Sequence, residues 1–283
     1  MRIVLIILFS VLFSNNVLAT VESIINNYWN TEGYEDTKKY VRQAEEALAE
    51  KDLNHQDKIK LTLLVVDFKI YEENYNKSYE LLRDIEELIK QNSYKDVEED
   101  LAFYNFYLGV SSWNIIGCKK SPNYFLDAIK FFKTDKSFLY YQLLSLFYVI
   151  DCNKENGDFE KAILDLNFII KIAQNNKETF NEFYEDALYK LSEIHEIKGE
   201  FKKSIAHINK IITNNTNDHK RLFDLYKHVS YLNLWARDKN KSNEALIKSI
   251  FDLSKINKID KTELNISYLE LTKHLIELDE YQK

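Results

Sequence analysis

Apolar residues along this chain recur at steps of three and four. Leu188, Leu191, Ile194 and Ile197 step by three, and Ile205, Ile208, Ile211 and Ile212 follow after a short polar break. Residues three or four apart share one face of an α-helix, so this spacing predicts amphipathic helices. Followed along the chain, it predicts helices pairing across turns near residues 33, 73, 117–123, 157, 199 and 240, with a final helix near 262–280. Five Gly and one Pro in 283 residues agree with that. Tight turns between helices need few such residues, whereas strand-rich and loop-rich folds need more.

One pattern occurs twice. Gly157-Asp158-Phe159-Glu160-Lys161-Ala162-Ile163 returns 42 residues later as Gly199-Glu200-Phe201-Lys202-Lys203-Ser204-Ile205. Each position has a physical role. Gly can take the left-handed conformation that closes a helix, and the acid suits the start of the next helix, where amide groups favour negative charge. Phe159 and Phe201 are expected to pack back as buried anchors, and the small Ala162 and Ser204 to let two helices approach closely. Looser copies occur at Asn74 to Tyr79, at Tyr124 to Ile129 with Leu108-Gly109 upstream, at Gly33-Tyr34 and at Lys241 to Leu246, and a truncated one at Leu278 to Tyr281.

These residues resemble the tetratricopeptide repeat (TPR), a helix-turn-helix unit with a Gly-acid-aromatic turn followed by a small residue. The resemblance implies an all-α fold, a right-handed superhelix of antiparallel helix pairs (a TPR-like alpha-solenoid). The spacing exceeds the usual 34 residues, which leaves HEAT-like or irregular helical pairs as alternatives. No linker rich in Gly, Pro or Ser interrupts the helices, so residues 20–283 read as one domain. The stretch Ile116 to Tyr124 departs from the pattern by adding about seven residues, which include the only Pro. Stacked pairs place the ends of neighbouring first helices side by side, so Cys118 and Cys152 are expected to form a disulfide. The alternative is two free, partly buried thiols.

Residues 1–19 read as a secretory signal. Arg2 is followed by an apolar run from Ile3 to Phe13, and Val17-Leu18-Ala19 ends on a small residue. Ser14-Asn15-Asn16 breaks the run well short of the roughly 20 apolar residues a membrane span needs. Cleavage after Ala19 would leave an exported chain, periplasmic or secreted. It would remove one of 38 basic residues and none of 45 acids, so the net charge moves from −7 to −8. That balance argues against nucleic acid and anionic membrane surfaces as partners, since both reward a basic face.

Catalytic patterns are sparse. His195-Glu196-Ile197-Lys198-Gly199 starts like a zinc-protease motif, but Gly199 occupies the place of the second His. The other histidines, His55, His207, His219, His228 and His274, form no ligand spacing, and no phosphate loop, nucleophile elbow or Cys-x-x-Cys occurs. No metal or cofactor is expected. Glu182 and Glu185, and Glu193 and Glu196, lie one helical turn apart, which leaves a sugar-active helical enzyme open as one reading.

The TPR resemblance also implies a concave groove lined by first helices. Carried over residue by residue, it would present Leu63, Asp67 and Tyr71, then Phe103, Phe106, Val110 and Trp113. Phe147, Asp151 and Glu155 would follow, then Asp186, Tyr189, Glu193 and Glu196, and lastly Lys227, Ser230, Leu234 and Arg237. Relatives that hold a peptide carboxylate place Lys and Asn on this face, where Phe147, Asp151, Tyr189 and Glu193 sit here. The expected partner is therefore a protein or peptide carrying apolar and basic side chains. The leading reading is an exported, non-enzymatic scaffold or adaptor. An immunity-type protein that neutralises a toxin in the envelope is the other binding reading.

Overall fold

A computed structural model of the chain describes residues 20–50, 53–91, 97–215 and 217–256, with the isolated residues 269, 272, 273 and 276. The expected signal, the truncated turn at Leu278 to Tyr281, most of the expected final helix and His274 lie outside the described residues. Within them there are α-helices and short 3₁₀ turns and no strand.

The chain gathers into two compact units, Met1–Glu155 and Asn156–Lys283, where the sequence reading takes 20–283 as one domain. The first unit holds α1 (Val21–Trp29), α2 (Tyr34–Leu48), α3 (His55–Tyr71), α4 (Tyr75–Gln91), α5 (Val97–Ile116), α6 (Ser121–Phe132) and α7 (Leu139–Glu155). The second holds α8 (Phe159–Asn175), α9 (Lys177–Ile197), α10 (Phe201–Asn214), α11 (His219–Trp235) and α12 (Lys239–Ser254). Within each unit every helix packs on the next, and in the first unit α3 also touches both α1 and α5. These three are first helices of successive pairs, lying side by side.

Two kinds of helix produce this layering. α4 and α10 bury one stripe each, Ser78, Leu82, Ile85 and Ile89 in one and Ser204, Ile208, Ile211 and Ile212 in the other. Steps of three and four confine that stripe to one face and leave the rest to solvent. α3 instead buries an unbroken run from Leu61 to Val66, and α5 one from Phe106 to Ser112. A helix buried nearly all round needs neighbours on several sides, and first helices have them.

Three of the described turns share one geometry. At Gly199 the Glu200 N–H donates to the His195 carbonyl (2.7 Å) and the Gly199 N–H to Glu196 (2.8 Å). These are the paired bonds of a Schellman helix end, which need a left-handed residue, and Gly199 has φ +70°. The same pair recurs at Glu73, with Asn74 to Lys69 and Glu73 to Ile70, and at Arg237, with Asp238 to Asn233 and Arg237 to Leu234. After each turn comes a small residue with no exposed surface: Ser78, Ser204 and Ser242, joined at other turns by Ala128 and Ala162. Ser204 Oγ lies 2.7 Å from Ser192 Oγ, and Ser230 and Ser242 each donate to the other's carbonyl at 2.8 and 2.9 Å.

Phe159 and Phe201 are only half-buried, not the fully buried anchors expected. They sit at the first position of α8 and α10, and a residue at a helix end has fewer neighbours around it than one in mid-helix. The added residues after α5 form one 3₁₀ turn, Gly117–Lys119, and α6 begins at Ser121 with Pro122 in its first turn, where its missing N–H costs nothing. Cys118 in that turn is bonded to Cys152 near the end of α7, with Sγ–Sγ 2.06 Å and Cα–Cα 5.2 Å. Ser121 Oγ accompanies the bond, 3.0 Å from the Gly117 carbonyl and 3.9 Å from Cys152 Sγ.

Candidate protein-binding face

The side-by-side first helices of the first unit carry two pockets. The larger, about 320 Å³, has Trp29 from α1, Leu63 from α3, Phe103 and Tyr107 from α5 and Tyr141 from α7 as apolar walls. Lys60, Glu99 and Asp100 supply its charges. Phe103 is fixed there by edge-on contact with Tyr141 at 4.8 Å and Phe132 at 5.3 Å. The smaller, about 200 Å³, lies beside the Gly33 turn and is walled by Tyr28, Tyr34, Phe68 and Tyr71, with Asp67 on its lining.

Asp67 joins the three first helices. Tyr28 Oη on α1 donates to its Oδ2 at 2.6 Å, and Tyr107 Oη on α5 donates to its Oδ1 at 2.9 Å. Burial raises the Asp67 carboxyl above the usual carboxylate range, and the two tyrosyl hydrogen bonds act against that rise. Burial, reinforced by Asp67, likewise raises both phenols, Tyr107 well above its ordinary value. Both tyrosines therefore keep their protons and remain donors.

Leu63, Asp67, Tyr71 and Phe103, expected on the groove, all line these pockets, and Tyr71 is 69 % exposed. Phe106 and Val110 do not. Both are buried in the core, because a step of three from Phe103 turns the side chain towards α6, where Phe106 meets Phe125 and Phe132 edge-on. The pocket lining continues instead by a step of four, to Tyr107. Phe147 is also buried, and Trp113 is half-buried with its ring against Tyr148 at 5.3 Å. Asp151 is half-buried and Glu155 exposed towards the end of α7. Residue-level reading missed Ile25, Trp29, Tyr28 and Tyr34. The signal was the apolar spacing of α1, whose Ile24 and Tyr28 are buried and which makes residues 21–48 a full pair.

In the second unit Tyr189, Glu193 and Glu196 follow one face of α9. Glu196 Oε2 lies 3.0 Å from His228 Nε2 of α11, and the Tyr189 ring centre lies 5.9 Å from that imidazole. Glu185 is almost fully buried, bonded to Arg221 Nη2 at 2.6 Å and receiving hydrogens from Asn181 and Asn215 at 3.1 and 2.8 Å. Ser230, expected on this face, is inside the α11–α12 contact, and Arg237 forms the turn. Among the described residues no group of three or more His, Cys, Asp or Glu is placed to hold a metal ion, and no helix is long and apolar enough to cross a membrane.

Consecutive helix pairs, left-handed turns and small residues at each crossing define a TPR-like helical repeat fold. Solved structures share it. The apo form of RapI superposes with a TM-score of 0.66 at 14 % identity, covering 93 % of this chain and 73 % of that one. The apo quorum sensor NprR from B. thuringiensis gives 0.61 at 14 % identity, covering 92 % and 72 %. The TPR-like repeats of a putative kinesin light chain from Podospora anserina give 0.59 at 11 % identity, covering 73 % and 100 %. No protein-family model and no curated protein matches the sequence.

Proposed function

We propose that this chain is an exported, non-enzymatic scaffold or adaptor that binds a protein segment on the first-helix face of its first unit. The observation that carries this is the larger pocket, whose aromatic and aliphatic walls come from four different helices and whose charges converge from α3 and α5. Apolar walls with a few placed polar groups form the usual chemistry of a binding cavity, and aromatic side chains supply most of the contact energy in such sites. The partner segment brings an apolar side chain for this pocket and basic residues for the acids around it. The candidate carboxylates of the second unit favour binding over hydrolysis as well: Glu185 is matched by Arg221 and Glu196 by His228, so neither pair is poised across an open cleft. Export rests on the leader-like residues 1–19 and accords with the Cys118–Cys152 bond, since disulfides persist outside the reducing cytosol.

The test is selection of displayed random dodecapeptides on residues 20–283. Enrichment of peptides that place an aromatic or aliphatic residue near Lys or Arg is expected, with capture lost on Trp29→Ala or Phe103→Ala. Thermal unfolding should be run beside both variants. Selection no better than on an unrelated helical protein, or capture that survives both substitutions, would overturn the reading.

A further inference from the structure

We propose that the smaller pocket of the first unit is a subsite for a single organic cation, the ammonium or guanidinium end of a lysine or arginine, seated on Asp67 between aromatic walls. The peptide source of that cation rests on the protein-binding reading above; the cation chemistry stands on the pocket itself. Asp67 is a largely buried carboxylate whose hydrogen-bond partners are two tyrosyl hydroxyls, Tyr28 at 2.6 Å and Tyr107 at 2.9 Å, and among the described residues no Lys or Arg forms an ion pair with it. A carboxylate taken out of water is ordinarily paired with a cation, because hydroxyls alone compensate only part of its lost hydration.

The walls are of the matching kind. Tyr28, Tyr34, Phe68 and Tyr71 line the pocket, held in place by Tyr34 stacking on Phe68 at 5.5 Å and on Tyr71 at 6.1 Å, and aromatic rings attract ammonium and guanidinium groups. The same rings already draw lysines: Lys38 Nζ stands 5.2 Å from the Tyr34 centre and Lys69 Nζ 5.7 Å from that of Phe68. Lys69 is held by Glu72 at 3.1 Å, so it is anchored away from Asp67. A volume of about 200 Å³ accepts the end of one side chain and is small for a drug-sized ligand. The chain's net charge of −7 adds long-range attraction for a cation.

The test is titration of residues 20–283 with N-acetyl-arginine methylamide, N-acetyl-lysine methylamide, the neutral N-acetyl-norleucine methylamide and tetramethylammonium. Calorimetry and tryptophan emission serve as readouts, because the Trp29 ring lies 5.0 Å from that of Tyr28. The cationic amides are expected to bind and norleucine not, with affinity falling as salt is raised. Asp67→Asn keeps an oxygen for a tyrosyl hydrogen and should weaken binding about tenfold or more. Tyr71→Ala, at an exposed ring, should weaken it about two- to fivefold. No binding by the folded wild-type chain, equal binding of norleucine, or no change in Asp67→Asn overturns the subsite. A peptide far tighter than its amide assigns the cation to a side chain, and tetramethylammonium equal to the best peptide assigns it to a free amine. Selected peptides that depend on Phe103 but not on Asp67 would sink this subsite and keep the protein-binding reading. Cationic amides that bind where no peptide does would do the reverse.

Discussion

Glu73 and Arg237 hold backbone φ angles of +57° and +61°, the region where an L side chain crowds its own carbonyl. They occupy the places that Gly157 and Gly199 occupy in the legible repeats, two residues before Tyr75 and Lys239 as those are before Phe159 and Phe201. Both are exposed, so replacing them removes strain with little lost contact. Glu73→Gly and Arg237→Gly should each raise stability in urea unfolding by about 0.5–1 kcal/mol, the relief exceeding the added chain entropy. Gly199→Ala, at φ +70°, should lower it by about 1–2 kcal/mol. A second residue-scale effect concerns His207, whose imidazole lies parallel to that of His195 at 5.4 Å. Burial first, then His195 and Lys210, lower its pKa from 6.5 to about 4. The unfolded chain then binds the proton that the folded chain refuses, so this contribution is full above pH 6.5 and is lost as pH falls towards 4. His207→Gln should flatten the acid side of the stability profile over that window, as urea midpoints at pH 7 and pH 4.5 would register.

At the scale of the helix, α5 approaches α6 closely at Gly109. A methyl group added at Gly109 would lie 2.8 Å from Phe125 Cε1, and Phe125 is itself fully buried and stacked on Tyr148 at 4.6 Å. The ring has nowhere to retreat, so Gly109→Ala should cost about 1–3 kcal/mol despite improving helix propensity. A midpoint unchanged in urea would mean that α5 and α6 can separate without loss. The Leu108-Gly109 pair was legible as a repeat element, and its reason is this contact. The groove positions were legible only in part. α3 follows the step of four, Leu63, Asp67 and Tyr71, and there the expectation and the pocket lining coincide. On α5 a step of three led to Phe106, and one residue of difference turns the side chain by about 100° around the helix, from groove into core.

At the scale of the whole chain, the Cys118–Cys152 bond closes a separation of 34 residues. In the chain-entropy account such a loop contributes about 3–4 kcal/mol, so reduction should lower the unfolding free energy of residues 20–283 by about that amount. Mass analysis of alkylated, unreduced protein should find neither thiol labelled; labelling at both positions would remove the bond. Export itself is checked by terminal sequencing of protein recovered from outside the cytoplasm, where Thr20 is the expected first residue.

Helix positions, turn positions and the small residues at crossings were determined by the sequence alone, because they depend on contacts within some ten residues. Periodicity places Ile208, Ile211 and Ile212 on one face whatever surrounds them, and a Gly two residues before an aromatic closes a helix locally. The left-handed backbone at Glu73 and Arg237 escaped the same reading because it goes with the paired helix-end hydrogen bonds there and not with a glycine. The site was decided by tertiary structure. That Asp67 meets Tyr28 and Tyr107, 39 and 40 residues away, follows from three first helices lying side by side, and no local signal carries that register. Buried aromatic and groove aromatic have the same composition and nearly the same spacing. Only the neighbours supplied by other helices, Phe125 and Phe132 for Phe106 and Tyr34 on one side of a largely exposed Tyr71, place one in the core and the other on a pocket wall.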